Sequence, residues 1–236
     1  MIFKLPMANV AANYQAILSR IAEAAIRSNR NPQEIRLLGA AKSQSIEAIR
    51  AAVAAGVTLI GENYVQEAQG KKRAMAQTIE WHMIGHLQRN KTKLAVELFE
   101  VIESVDSFEL AREIDKEGRK KGKTVRVFLE VNLGGEESKS GLAKEKVLHL
   151  LRAAGELPHL KIEGLMALPP FKENAEEVRP YFRQLREFQL SLQQESFPNV
   201  YLKELSMGMT HDYIVAVEEG ATIVRIGTAL FGPRRT

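Results

Sequence analysis

Short apolar runs alternate with longer amphipathic ones along the chain, which predicts repeated βα units around a parallel sheet. Eight runs read as strands: Ile35–Ala41, Val57–Gly61, Glu80–Gly85, Val101–Val105, Val125–Asn132, Ile162–Leu168, Leu202–Met207 and Thr222–Ile226. Helical spacing of apolar residues predicts helices over Ile46–Ala55, Val65–Gln77, Asn90–Leu98, Ser107–Lys121, Lys144–Ala154, Ala175–Glu195 and His211–Glu219. An amphipathic segment, Met7–Ser28, precedes the first strand, and a short turn at Ala229–Phe231 closes the pattern. Eight strands and seven intervening helices fit a single (β/α)8 TIM barrel, for which ~250 residues is typical. A doubly wound sheet would have fewer strands and a glycine-rich first βα turn, whereas this turn reads Ala41-Lys42-Ser43-Gln44. No Pro-, Gly- or Ser-rich linker divides the chain, so residues 1–236 are expected to form one domain, with Met7–Ser28 as an extra helix flanking the barrel.

At 236 residues and 45% hydrophobic, the chain has enough apolar material for a substantial core. No apolar run approaches the ~20 residues that span a bilayer, and Met1-Ile2-Phe3-Lys4-Leu5-Pro6 is too short and broken for a secretory signal. A cytoplasmic protein is expected, with no membrane partner. The absence of cysteine removes disulfides, thiolate catalysis and thiolate metal sites. The net charge of +4 is modest, and Lys71-Lys72-Arg73 and Arg119-Lys120-Lys121 read as solvated helix faces, so no nucleic-acid partner is needed to explain it.

In a TIM barrel the reactive groups stand at the C-terminal ends of the strands. Lys42 ends the first apolar run. An amine at the mouth of an apolar strand is partly desolvated, which favours its neutral, nucleophilic form and suits it to a Schiff base with a carbonyl carbon. Alternation puts Leu38, Ala40 and Lys42 on one face, with small Ala40 leaving room for a flat ring. A lone lysine at a strand end is nevertheless most often one that merely snorkels to water, so the other strand ends must carry weight.

Two late turns do so. Leu205-Ser206-Met207-Gly208-Met209-Thr210 and Val224-Arg225-Ile226-Gly227-Thr228 combine small residues with hydroxyls on the strands where barrels hold phosphate, Met207-Gly208 permitting close backbone approach and Thr210 offering a cap for the next helix. An inward-pointing Arg225 needs a partner: either a buried carboxylate such as Glu204 or the pyridine nitrogen of a cofactor, which a permanent cation would keep unprotonated. Asn63 reads equally as a hydrogen-bond donor to a phenolic oxygen and as a helix cap, and Glu62 as a partner for a cation on a neighbouring strand. His82 and His86 are four apart, but Gly85 spoils the helical geometry of a metal pair, so no metal is expected and His82 reads as a core residue that could face a ring. Met166 at the end of strand six reads mainly as packing, with ligand contact as the alternative.

Taken in order, Leu38-Gly39-Ala40-Ala41-Lys42, Gly61-Glu62-Asn63-Tyr64-Val65-Gln66-Glu67, the stretch Trp81-His82-Met83-Ile84-Gly85-His86-Leu87-Gln88-Arg89-Asn90-Lys91, Ser138-Lys139-Ser140-Gly141, Gly164-Leu165-Met166 and the two late turns resemble the YggS/PROSC-type pyridoxal phosphate homeostasis proteins, of the alanine racemase-like barrel class, over essentially the whole chain. The resemblance implies that pyridoxal 5'-phosphate (PLP) is the cofactor and Lys42 its Schiff-base lysine. It further implies that Ser206, Gly227 and Thr228 match phosphate-binding positions and that Arg225 faces the pyridine nitrogen. With Asn63, His82, Met166, Met207 and Gly208 these are the candidate cofactor-binding residues.

The function so implied is reversible holding of PLP within cellular PLP homeostasis, with no turnover and no catalytic residue, PLP-dependent apo-enzymes being candidate recipients and a monomer the expected state. The alternative is a PLP-dependent amino-acid racemase or lyase. Stereoinversion needs a group on each face of the ring, which related racemases supply as a tyrosine with the help of a C-terminal β domain, and no stretch of this sequence is left to build one. Of the five tyrosines only Tyr64 lies beside a strand end. A cofactor-free Schiff-base aldolase, with Glu62 beside Lys42, is a third and weaker reading.

Overall fold

The computed structural model describes residues 9–75, 77–134 and 140–233. Among them, eight parallel strands close into a barrel in sequence order: β1 (Arg36–Ala40), β2 (Leu59–Glu62), β3 (Glu80–Met83), β4 (Val101–Val105), β5 (Val125–Glu130), β6 (Leu160–Met166), β7 (Val200–Met209) and β8 (Ile223–Ile226). β8 returns to β1 with Leu38 opposite Arg225, completing the ring. The helices are α1 (Val10–Arg27), α2 (Ile46–Ala54), α3 (Val65–Ala74), α4 (Thr92–Leu98), α5 (Phe108–Lys121), α6 (Lys144–Arg152), α7 (Arg179–Leu192), α8 (Tyr213–Glu218) and α9 (Thr228–Phe231). No helix among the described residues is long and apolar enough to cross a membrane.

Local chemistry explains several boundaries. Ser45 and Ser107 open α2 and α5 by accepting the N–H groups of Ala48 and Leu110, and Asn9 does the same for α1 through Ala12. Gly122 ends α5 in the left-handed conformation, with φ 62°. The differences from the sequence reading lie at element ends. The expected helices over Asn90–Leu98 and Ala175–Glu195 each open with a turn of 3-10 helix before α4 and α7, and β7 runs on to Met209.

The core has two layers. Alternate strand residues Leu38, Leu59, Val101, Phe128, Met166 and Ile223 fill the barrel interior, while the larger layer lies between strands and helices. α1 packs outside the β8–β1 junction. Its Asn13 Nδ2 donates to the Leu230 carbonyl of α9, Tyr14 to Gly56 after α2, and Arg27 to Glu218 of α8.

Candidate functional site

On β1, Leu38 and Ala40 face the barrel interior, and Lys42 follows in the turn between the C-terminal end of β1 and α2. Lys42 is half-buried, and its amine has no hydrogen-bond or ion-pair partner among the described residues. Gly227, at the end of β8, lies alongside. A Cβ built there would come no closer than 3.6 Å to the Ala40 carbonyl oxygen and 3.8 Å to the Ala40 Cβ. Crowding therefore does not demand glycine at 227, and with Ala40 it leaves a small-residue cradle at the end of the barrel where Lys42 leaves β1. The Gly227 backbone, at φ −102° and ψ −87°, lies outside the α and β regions.

Beneath this cradle a line of polar side chains threads the apolar barrel interior. Arg225 is buried; its Nη1 donates to the Ser206 hydroxyl at 2.7 Å and its Nη2 to the Ala167 carbonyl at 2.8 Å. Ser206 in turn donates to Glu103 at 2.5 Å, and Glu103 meets His82 Nδ1 at 2.5 Å. His82 Nε2 lies 3.3 Å from Glu80, an ion-pair distance without hydrogen-bond alignment, and Glu80 is held by Arg126 at 2.6 Å. A ladder of charges thus runs from the floor of the barrel to the mouth.

Burial works to raise the Glu103 carboxyl, but the His82 hydrogen bond and the charges of His82 and Arg225 outweigh it and hold the group below the usual range. Burial alone would depress His82, yet the hydrogen bonds and charges of Glu103 and Glu80 outweigh it and raise the ring above the usual imidazole range, favouring its protonated form. Burial lowers Arg225 against the pull of Glu103, Asp212 and Glu130, and an arginine so lowered is still charged at neutral pH.

This geometry corrects two expectations. Glu204 does not partner Arg225; it pairs with Arg36 at 2.8 Å and accepts from Thr222. The Ser206 hydroxyl is turned into the barrel and committed on both sides rather than displayed in the turn. Glu103, which the sequence reading missed, carried a signal: an acid at the centre of the apolar run Val101–Val105 must be paired if that run is a buried strand.

The two late turns meet. Thr210 does not cap α8, whose first turn follows Asp212; instead its hydroxyl accepts the Ala229 N–H at the start of α9, tying one turn to the other. Thr228 opens α9, where the first N–H groups of a helix have no intrahelical acceptor. Met207 packs in the outer layer, so only its backbone belongs to the turn. Gly208 has a structural reason of its own: φ is 88°, and a Cβ would sit 2.4 Å from that of Ala216 on α8.

Met166 is fully buried at the end of β6 among the interior residues. Asn63 does not cap α3; the helix is opened by Tyr64 without a side-chain cap, and Asn63 stays half-buried beneath Gly85, where a Cβ would touch the Asn63 backbone at 2.6 Å. Tyr64 is exposed. Glu62 turns outward to Lys71 of α3 at 2.7 Å rather than to a neighbouring strand's cation or to Lys42, and Lys71 is buried rather than part of a solvated face. The two histidines diverge, His86 pairing with Asp106 at 2.9 Å in the exit loop of β3. Glu130, buried at the end of β5 and also missed by the sequence reading, accepts the Ser140 hydroxyl at 2.9 Å. Ser138 and Lys139 lie outside the described residues.

A free amine, a glycine cradle, the open start of α9 and a buried cation within one barrel mouth fit a phosphorylated aromatic aldehyde: a carbonyl carbon for the amine, room for a ring, donors for a phosphate and a cation for a ring nitrogen. The comparisons agree. The model of the family described as alanine racemase, N-terminal domain matches residues 9–235. The pyridoxal phosphate homeostasis protein of Aquifex aeolicus (strain VF5) is 46% identical over 228 residues, covering 96% of this chain and 99% of that one. That of Pseudomonas aeruginosa is 42% identical over 230 residues, covering 97% of each. Among solved structures, PipY of Synechococcus elongatus PCC7942 with PLP bound is 38% identical, with a TM-score of 0.80, covering 92% of this chain and 100% of that one. On these grounds the chain belongs to the alanine racemase N-terminal domain family and, within it, to the pyridoxal phosphate homeostasis proteins.

Proposed function

We propose that this protein holds PLP reversibly on Lys42 and takes part in the homeostasis of that cofactor without turnover of its own. The observation that carries the reading is the unpaired Lys42 amine at the C-terminal end of β1, the same end of the barrel as the Ala40–Gly227 cradle. PLP, when bound, supplies an aldehyde that reacts reversibly with amines. The Lys42 amine condenses with that aldehyde, its nitrogen forming a double bond to carbon while the carbonyl oxygen leaves as water. Gly227 admits the phosphate close to the backbone, and the Thr228 N–H and hydroxyl donate to it. Arg225 spends two N–H groups inside the barrel and has others left to turn toward the ring nitrogen, which its fixed charge keeps unprotonated. That limits the ring as an electron sink and favours storage over carbanion chemistry. The relatives, named homeostasis proteins rather than enzymes, support the same reading.

The test is an absorbance spectrum of the purified protein before and after borohydride, with peptide mass mapping. The expected result is a visible band that disappears and leaves a pyridoxyl adduct on Lys42. A protein that stays colourless with added PLP would overturn the reading. Sustained interconversion of L- and D-alanine by the loaded protein would replace it with the racemase.

A further inference from the structure

Lys71 is a buried lysine on the outer side of the barrel, and its surroundings converge on the peptide groups either side of Lys42. Its Nζ donates to the Ala41 carbonyl at 2.7 Å, to Glu62 at 2.7 Å and to Glu67 at 2.6 Å, which uses all three donors of an ammonium. The same Glu67 oxygen accepts the Ser43 N–H at 2.8 Å. Ala41 and Ser43 are the two neighbours of Lys42, so α3 grips the chain on both sides of the reactive residue. Ser43 is held at φ 61°, a left-handed conformation that a non-glycine residue keeps only where its surroundings impose it.

Stability alone is a poor explanation for this cluster. Buried ion pairs give back most of what they gain in desolvation, and apolar residues of the same size commonly serve as well. A free lysine at a strand end, by contrast, would snorkel to water on four rotatable bonds. Fixing both flanking peptides fixes the direction of the Lys42 Cα–Cβ bond, the first requirement for directing its amine into the barrel mouth.

Resting on the cofactor reading above, we propose that Lys71, extended by Glu67, is a positioning residue that aims Lys42 into the barrel mouth. Two readouts separate aiming from holding. One is the affinity for pyridoxine 5'-phosphate, which has the phosphate and ring but no aldehyde. The other is the rate at which the visible band appears after mixing with PLP. For Lys71→Met we expect the band to appear at least tenfold more slowly, with pyridoxine 5'-phosphate affinity within twofold of the parent. Glu67→Ala, at a half-exposed position that leaves the Lys71–Glu62 pair in place, should slow the band about fivefold, and Glu67→Gln, which restores an acceptor for Ser43, should recover it. If Lys71→Met fails to fold, the Glu67 pair carries the test.

Parental rates in Lys71→Met and Glu67→Ala would overturn the proposal. So would losses of pyridoxine 5'-phosphate affinity matching the losses of rate, because those mark a general collapse of the site. A parent protein that binds pyridoxine 5'-phosphate but gives no band would instead overturn the Lys42 reading, and the positioning role with it.

Discussion

The Ser206 hydroxyl stands between Arg225 and Glu103, accepting from the guanidinium at 2.7 Å and donating to the carboxylate at 2.5 Å. All three side chains are buried, so the hydroxyl is the coupling through which a barrel-floor charge balances the cation at the mouth. Ser206→Ala should leave a buried donor and a buried acceptor unsatisfied, at a cost of about 2 kcal/mol in urea unfolding. PLP retention should weaken as well, indirectly, because Arg225 loses one of its two fixed contacts. An unchanged unfolding midpoint would mean that water replaces the hydroxyl.

Lys42→Ala gives the opposite profile. The side chain is half-buried and unpartnered, so unfolding free energy should stay within about 0.5 kcal/mol of the parent while the borohydride-trapped adduct disappears from the peptide map. An adduct that persists on another lysine would displace Lys42 from its assigned role.

The two glycines of the late turns divide by cause. Gly208→Ala meets the Ala216 Cβ at 2.4 Å with φ at 88° and should cost about 3 kcal/mol of stability. Gly227→Ala meets nothing nearer than 3.6 Å, so it should fold at only a small backbone cost from its φ −102°, ψ −87° conformation, but its methyl group enters the cradle and should lower PLP affinity by tenfold or more. Thermal unfolding and PLP titration of both variants decide the matter; a Gly227→Ala protein with parental affinity would move the phosphate elsewhere.

Glu62 should give stability a pH dependence of its own. Burial raises its carboxyl from 4.5 to about 7, with the Lys71 hydrogen bond and charge opposing. Between those values the folded chain keeps a proton that the unfolded chain has shed, so this contribution is full below pH 4.5 and is lost as the pH rises through 7. The unfolding free energy of the parent relative to Glu62→Gln should therefore fall by something on the order of 3 kcal/mol from pH 4.5 to 8. A difference that stays flat with pH would show Lys71 keeping Glu62 ionised throughout.

The barrel was legible because its strands are short apolar runs bounded by polar helices, a signal that survives errors of a few residues at each end. Lys42 and Arg225 were legible for the same reason, each being a charge set against an apolar run. Partners were not. Glu204 looked as good a match for Arg225 as any acid, and only closure of the sheet places it beside Arg36 and brings Glu103 from β4 through Ser206 of β7 to Arg225. Thr210 looked like a cap for the helix that follows it, because hydroxyls before helices commonly are, yet its hydroxyl accepts the N–H of Ala229, nineteen residues on. Lys71 was hidden in a basic triplet that reads as surface, and what buries it is the return of α3 over the ends of β1 and β2.

α1 has a consequence beyond packing. A ring of strands must be joined somewhere without a covalent loop, and here the join is between β8 and β1, the strands that carry Gly227 on one side and lead to Lys42 on the other. α1 spans that join like a clasp, fastened to the end of α2 through Tyr14 and to α8 and α9 through Arg27 and Asn13. Releasing the clasp should loosen the β8–β1 join and with it the spacing of Lys42 from the Ala40–Gly227 cradle, so amide exchange in β1 and β8 should rise together with the rate at which PLP escapes.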